Sequence, residues 1–381
     1  MEFRRQVTIA QVAREAGVST VTVSRVINNR PDVAPVTRRR VEQVIGRLGY
    51  QPNAIARSLI SQHSRTLGVV ASRLDYYGPS RILVGVEQQS SELGYALLLC
   101  MQHKPESGDV EPILNHLLSQ QVEGVIWAVP EIGDNRVWIS ERAAHLHVPI
   151  IFLSMDPRSN MPVVAGDNYL GGQLATRHLL DQGYRKIGAI TGPMNEWEAC
   201  QRYLGWRDTL KEAGIKIEDR QIFEGDWSAA SGELGARRLL ADCPELDAIF
   251  AMNDQMALGL LSTANETGRS VPQDLAVVGY DDMPESAFFL PPLTTIRQHL
   301  RDVGRTAVRL LQSRIAEGTL RAESTLREDN RPVEVETDNY PSPQSFSPDP
   351  ILIAPELIVR QSSIRSQGAT GPPGTFGRQA G

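Results

Sequence analysis

At 381 residues, 41% of them hydrophobic and 22% charged, with a mean hydropathy of −0.25, the chain is long enough for two or three domains with sizeable cores. No run reaches the roughly 18 consecutive apolar residues of a membrane helix. The opening MEFRRQVTIAQVAREAGV has no apolar signal core, so a cytoplasmic location is expected. The net charge of −6 is unevenly held: residues 1–65 carry eleven Arg, no Lys and four acidic side chains, a surplus of +7, which leaves −13 on the other 316. A small basic head on an acidic body suits a polyanion partner for the head alone. Cys100, Cys200 and Cys243 are widely spaced and read as reduced thiols, not as a disulfide frame or a metal site.

The first helix is expected after Thr8, whose spacing to Gln11 is that of a capping box, with Ile9, Val12, Ala13 and Ala16 as its apolar face. Gly17 ends it, because Gly accepts the left-handed conformation of a tight exit. The next stretch, VSTVTVSRVINN (18–29), alternates Val with Thr and Ser as a strand does, and taken alone fits strand and helix equally. Ser19 as a cap, an inward face of Val23, Val26 and Ile27, and the Asn28-Asn29 exit decide for helix. Pro31-Asp32 reads as a turn, Pro35 as the first position of a third helix with Val41, Val44, Ile45 and Leu48 inward, and Gly49 as its end. Three short helices with a Gly turn between the first two describe a helix-turn-helix. Its second helix would turn Thr20, Val21 and Arg25 to base edges, with Thr8, Ser19, Thr22, Ser24 and Asn28 placed for phosphate oxygens. Pro52 then opens a short apolar segment too small to be a stable helix alone, one that a partner can order.

From residue 66 short apolar runs (TLGVVA, YALLLC, GVIWAV, PIIFLS, KIGAIT, DAIFAM, LAVVGY) alternate with amphipathic stretches, the pattern of parallel sheets covered on both faces. The strand count suits two doubly wound units. In such folds ligands sit beyond the carboxyl ends of the strands, where Asp167, Asn253, Asp254, Asp281, Asp282 and Gln298 fall. No phosphate loop, nucleophile elbow, HExxH or strand-led GxGxxG is found, and the two His at 145 and 147 lack a Cys or carboxylate to complete a metal set, so neither an enzyme nor a cofactor is expected. Residues 321–350, rich in Pro, Ser and acidic side chains, read as a flexible insertion before a final strand in ILIAPELIVR.

VTIAQVAREAGVSTVTVSRVINN, RRRVEQVIGRLGYQPNAIARSL, GDWSAASG, AMNDQMALGLL, VVGYDD and PPLTTIRQ together resemble the lactose/galactose repressor family of bacterial transcription regulators over most of residues 7–320. The resemblance implies an all-α helix-turn-helix DNA-binding head (1–50), a hinge helix (51–65) and an α/β periplasmic-binding-protein-like core of two doubly wound subdomains (66–330). Beyond the core it leaves the insertion at 331–350, a final core strand region at 351–364 and a disordered tail at 365–381. In the hinge it makes Leu59 a minor-groove wedge with Ala56 beside it, and brings Tyr50 and Asn53 to the DNA backbone. Carried over by position, the effector contacts are Asp167, Arg202, Asn253, Asp281 and Gln298, with Trp227 stacking on a sugar and Ser72, Tyr76 and Pro79 lining the other side. Trp227 and Gln298 point to a galactoside or similar glycoside, whereas Tyr76 and Glu198 stand where the resembled core has smaller groups. Thr20 and Val21 depart from that relative, so its operator sequence does not transfer. The expected protein is a repressor of carbohydrate-utilisation genes that binds operator DNA and a sugar effector. Corepression uses the same fold, and a sugar receptor without a DNA role is disfavoured by the basic head. The tail lacks Leu heptads, so a homodimer is expected.

Overall fold

The computed structural model describes residues 7–50, 63–132, 135, 137–138, 146–157, 161–328 (backbone only over 319–328) and 350–365. Asn53, Ala56 and Leu59, the insertion 331–350 except Pro350, and the tail 365–381 except Arg365 lie outside the described residues. Two units emerge, residues up to Arg65 and those from Thr66 onward. No helix among the described residues is long and apolar enough to cross a membrane.

The head contains α1 (Ile9–Ala16), α2 (Thr20–Ile27) and α3 (Pro35–Leu48). The capping box of Thr8 and Gln11 is formed on both sides, and Gly17 leaves α1 at φ 63°. Ser19 caps α2 by accepting from the Thr22 amide at 3.1 Å. The ambiguous Val-Thr stretch is thus helix, with Val23 and Val26 buried against Val12, Ala13, Ala16, Val41 and Val44.

Among the described residues the second unit holds two six-stranded sheets. The first is ordered β11-β5-β4-β3-β1-β2 and the second β12-β10-β9-β8-β6-β7. The first contains β1 (Thr66–Ala71), β2 (Ala96–Met101), β3 (Gly124–Ala128), β4 (Ile150–Leu153) and β5 (Val163–Gly166), with α4 (Tyr77–Glu92) and α5 (Glu111–Ser119) in the connections. Then follow α6 (Asn168–Asp181), β6 (Ile187–Thr191), α7 (Trp197–Glu212), β7 (Ile222–Glu224), α8 (Ala229–Asp242), β8 (Ala248–Ala251), α9 (Asp254–Glu266), β9 (Ala276–Asp281) and β10 (Thr294–Arg297). Central strands such as β4, β6 and β8 are buried throughout, as a sheet covered on both faces requires, whereas the edge strand β2 is half exposed.

Among the described residues the chain passes between the sheets three times: after β5 at residues 166–168, after β10 at 297–300, and between β11 (Ile351–Ile353) and β12 (Glu356–Ile358). The second passage leads into α10 (Leu300–Glu328), whose Leu300, Val303, Ala307, Val308 and Leu311 pack on Leu67, Val69, Ile126 and Ile151 of the first sheet.

Two expectations need correction. ILIAPELIVR is not one strand: Pro355 has no amide hydrogen to give a ladder, and the chain changes sheets there, β11 running parallel to β5 and β12 antiparallel to β10. The helix α10 also runs to Glu328, into the stretch read as a loop from residue 321.

Candidate functional site

On the head, Thr20, Val21 and Arg25 lie on the side of α2 turned away from the core, Val21 with 59% of its surface exposed. Arg25 already has a partner, Asp32 at 3.3 Å, in a pair exposed by about half on both sides. Such pairs contribute about 1 kcal/mol or less, so a phosphate or base edge can displace Asp32. The hydroxyls expected at phosphates also have local work. Ser19 Oγ lies 2.9 Å from Thr22 Oγ1, Asn28 Nδ2 donates to Ser24 Oγ at 3.3 Å, and Thr8 closes the capping box. Tyr50 packs partly against the head core, its amide donating to the Ile45 carbonyl at 3.1 Å. Arg38 is tied internally to the carbonyls of Val26 and Arg30 and to Asn29 Oδ1. Arg14, Arg39 and Arg40 are exposed and form no ion pair among the described residues.

In the second unit the strand ends of both sheets face one cleft of roughly 980 Å³, its open mouth included. Of the nine expected contacts, Ser72, Tyr76, Pro79, Arg202, Trp227, Asn253, Asp281 and Gln298 line it. Asp167 does not. Its Oδ1 accepts from the Leu170 amide at 2.9 Å as the N-cap of α6, and its own amide donates to the Ile353 carbonyl at 2.9 Å, so its carboxylate serves the helix terminus.

Arg202 is the centre of the arrangement. Buried on α7, it donates from Nε to Asn168 Oδ1 at 2.8 Å and from Nη1 to the Met252 carbonyl at 2.6 Å. Its guanidinium lies 3.9 Å from the Tyr280 ring centre and 5.2 Å from that of Trp227. Nη2 makes no protein hydrogen bond among the described residues. Asp281 accepts from Gln298 Nε2 at 2.7 Å. Burial pushes its carboxyl up to about 6, against the pull of Arg202 and Gln298. Its neighbour Asp254 is pushed up to about 7 by burial and by the Asp281 charge. Asp254 is not turned to a ligand: Ser286 and Thr295 each donate to it at 2.6 Å and the Met283 amide at 2.9 Å, which fixes the loop after β9.

Trp227 is held in an unusual backbone state, φ 73°, by two contacts: Asn253 Nδ2 donates to its carbonyl at 2.9 Å, and its Nε1 donates to Glu196 Oε2 at 3.1 Å. Asn253 Oδ1 meanwhile accepts from the Met256 amide at 2.8 Å. Asn253 therefore lines the cleft chiefly by setting the indole. Among the described residues eight non-glycines have positive φ, and four of them, Arg73, Ser154, Trp227 and Asp281, line this cleft. Strain of this kind gathers where surrounding structure aims side chains at a ligand.

Residues 8–53 match the family of bacterial regulatory proteins of the lacI type, and residues 176–336 match a periplasmic binding protein-like domain. The HTH-type transcriptional repressor PurR of Mannheimia succiniciproducens is 36% identical over 359 residues, covering 93% of this chain and 98% of that one. The chain belongs to the LacI family. The lactose operon repressor of Escherichia coli (strain K12) is 36% identical over 310 residues, 81% of this chain and 85% of that one. Among solved structures, the lac repressor dimer bound to operator and the anti-inducer ONPF superposes with a TM-score of 0.80 at 30% identity, covering 95% of this chain and 100% of that one. The complex of transcriptional regulator CelR with cellobiose gives 0.65 at 30% identity, over 94% of this chain and 100% of that one.

Among the polar cleft residues of this LacI-family core that the sequence left unmarked are Arg73, Ser154 and Glu196. Arg73 and Glu196 form an ion pair across the cleft, and Tyr76 Oη donates to the Asp226 carbonyl at 3.3 Å beside it. Arg73 follows β1 and Ser154 follows β4, so the strand-end rule that found Asp281 applies to both. Glu196 lies past β6 by a Gly-Pro turn and was hidden by it.

Gly192 explains how the indole fits: a Cβ there would lie 2.1 Å from Trp227 Cζ2. Gly192→Ala should lower stability by about 1–3 kcal/mol and shift tryptophan emission as the ring is displaced. Urea unfolding followed by fluorescence tests this; wild-type stability and emission would refute the packing.

Proposed function

We propose that this DNA-binding transcriptional repressor of the LacI family acts as a homodimer on a pseudo-palindromic operator and is released from it by a neutral sugar, a galactoside or similar glycoside, held in the core cleft. Thr20, Val21 and Arg25 are the base readers, Val21 suiting a thymine methyl and Arg25 a guanine edge. Thr8, Ser19, Thr22, Asn28, Tyr50 and Asn53 contact the backbone, and Leu59, with Ala56 beside it, wedges the minor groove.

The observation that carries the effector reading is Arg202, fixed between two aromatic rings with Nη2 left over, beside Asp281, Gln298 and the Trp227 face. A guanidinium, a carboxylate and an amide grip vicinal hydroxyls, and an indole covers a sugar's C–H face. The relatives named for lactose and seen with cellobiose support it. The homodimer is supported by the operator-bound lac repressor dimer and by Phe288 and Leu290, which are 83% and 90% exposed after β9.

Footprinting on DNA upstream of the protein's own gene, at 50 and 200 mM salt, should show symmetric protection. Affinity should drop roughly 10³–10⁵-fold between the two, as expected for six to ten phosphate contacts. Absence of binding at low salt would sink the operator reading. A glycoside panel should then release the DNA; tightening instead would make the ligand a corepressor, and no response to any sugar would reject the effector reading.

A further inference from the structure

Two carboxylates begin α7, and they have different surroundings. Glu196 is engaged at both oxygens: Arg73 takes one and Trp227 Nε1 the other. Glu198, in the first helical turn, lines the cleft together with Ser154 of the opposite subdomain. Arg202, one turn further along, lends it charge, but Nε and Nη1 of that guanidinium are already committed to Asn168 and Met252. A carboxylate offers about four acceptor positions, so Glu198 retains capacity toward the cleft.

We propose that Glu198 selects the ligand, accepting hydrogen bonds from a pair of donors on a neutral or amino-bearing sugar and turning away phosphorylated sugars. This rests on the sugar reading above and sharpens it. With Glu198 ionised, as a donating ligand makes it, the charged lining residues are Glu196, Glu198 and Asp281 against Arg73 and Arg202, an acidic excess that disfavours an anionic group beside that ligand. Glu198 also occupies the place at a 16-residue helix's N-terminus where a phosphate would otherwise gain from the helix dipole. Burial, with Glu196 nearby, pushes the Glu198 carboxyl up despite Arg202 and Ser154. A ligand that donates to it therefore favours the ionised form and supplies what the free cleft lacks.

The test is calorimetry on the full-length protein with neutral glycosides, their amino-sugar counterparts and their phosphates, for wild type and Glu198→Gln. Thermal unfolding of the variant serves as a folding control. Wild type should bind at least one neutral or amino sugar, and its phosphate at least 100-fold more weakly. Glu198→Gln should weaken that sugar roughly 10- to 100-fold, the loss of charge-assisted bonds, and narrow the gap to the phosphate. A preference for the amine over the hydroxyl would identify an ammonium as the donor, and equal binding a hydroxyl pair; both support the role. A phosphate bound as tightly as its parent sugar, or a folded variant with unchanged affinity and preference, overturns the Glu198 assignment and leaves the sugar reading standing. Wild type that binds no sugar overturns both.

Discussion

Arg202→Ala should cost the repressor roughly 30- to 700-fold in effector affinity, about 2–4 kcal/mol, while ligand-free operator binding persists. The head keeps operator binding because Val12, Val23, Val41 and their neighbours form a core of their own. The cleft loses its gripping donor, and the Asn168 side chain and the Met252 carbonyl lose the partner that positions them. Calorimetry with the glycoside proposed as effector reads the first effect, and wild-type affinity in the variant would remove Arg202 from the site.

The same variant carries a pH signature. Asp281 is pushed up to about 6 in the folded protein, above its ordinary carboxylate value, so folding favours its protonated form. The stability this contributes is fully present below the unfolded pKa near ~4 and is lost as pH rises through about 6. Arg202 opposes the shift; without it the carboxyl rises further and the loss deepens at higher pH. The melting-temperature gap between wild type and Arg202→Ala should therefore be wider at pH 8 than at pH 5. An equal gap at both would show that Asp281 does not feel the guanidinium.

Gly205→Val is expected to destabilise the core by about 3 kcal/mol or more. A Cβ at Gly205 would stand 2.2 Å from the Tyr169 carbonyl, and one at Gly172 2.3 Å from the Arg202 carbonyl, so α6 and α7 cross backbone against backbone. No side chain can rotate away from such a contact. The helices must separate, and α7 carries Arg202 away from Asn168 of α6. Both the urea midpoint and glycoside binding should fall. Loss of stability with unaltered binding would mean that the crossing does not position Arg202.

The sequence made the local features of this protein plain. Caps at Thr8 and Ser19 and the Gly17 exit fixed the helix-turn-helix, and continuous apolar runs marked the central strands, because both depend on neighbouring residues only. Eight of the nine residues expected at the effector site do line one cleft. What was hidden depends on distant pairing. Arg73 meets Glu196 across 123 positions, Asp167 turns to its helix terminus and not to the cleft, and ILIAPELIVR divides because each half finds a different sheet. No periodicity within a segment reports which remote partner it will meet.

The three passages between the sheets have a consequence for synthesis on the ribosome. The first sheet gains its α10 cover only when residues 300–311 have emerged, and its edge strand only at 351–353. By then the parallel strands of the second sheet, through residue 297, are already available to pair. The usual order, in which the earlier domain is complete before the later one emerges, is therefore lost: both halves wait for the end of the chain, the first for β11 at 351–353 and the second for β12 at 356–358. Ending the chain before residue 350 removes an edge strand from both sheets at once, so premature termination there leaves neither half finished.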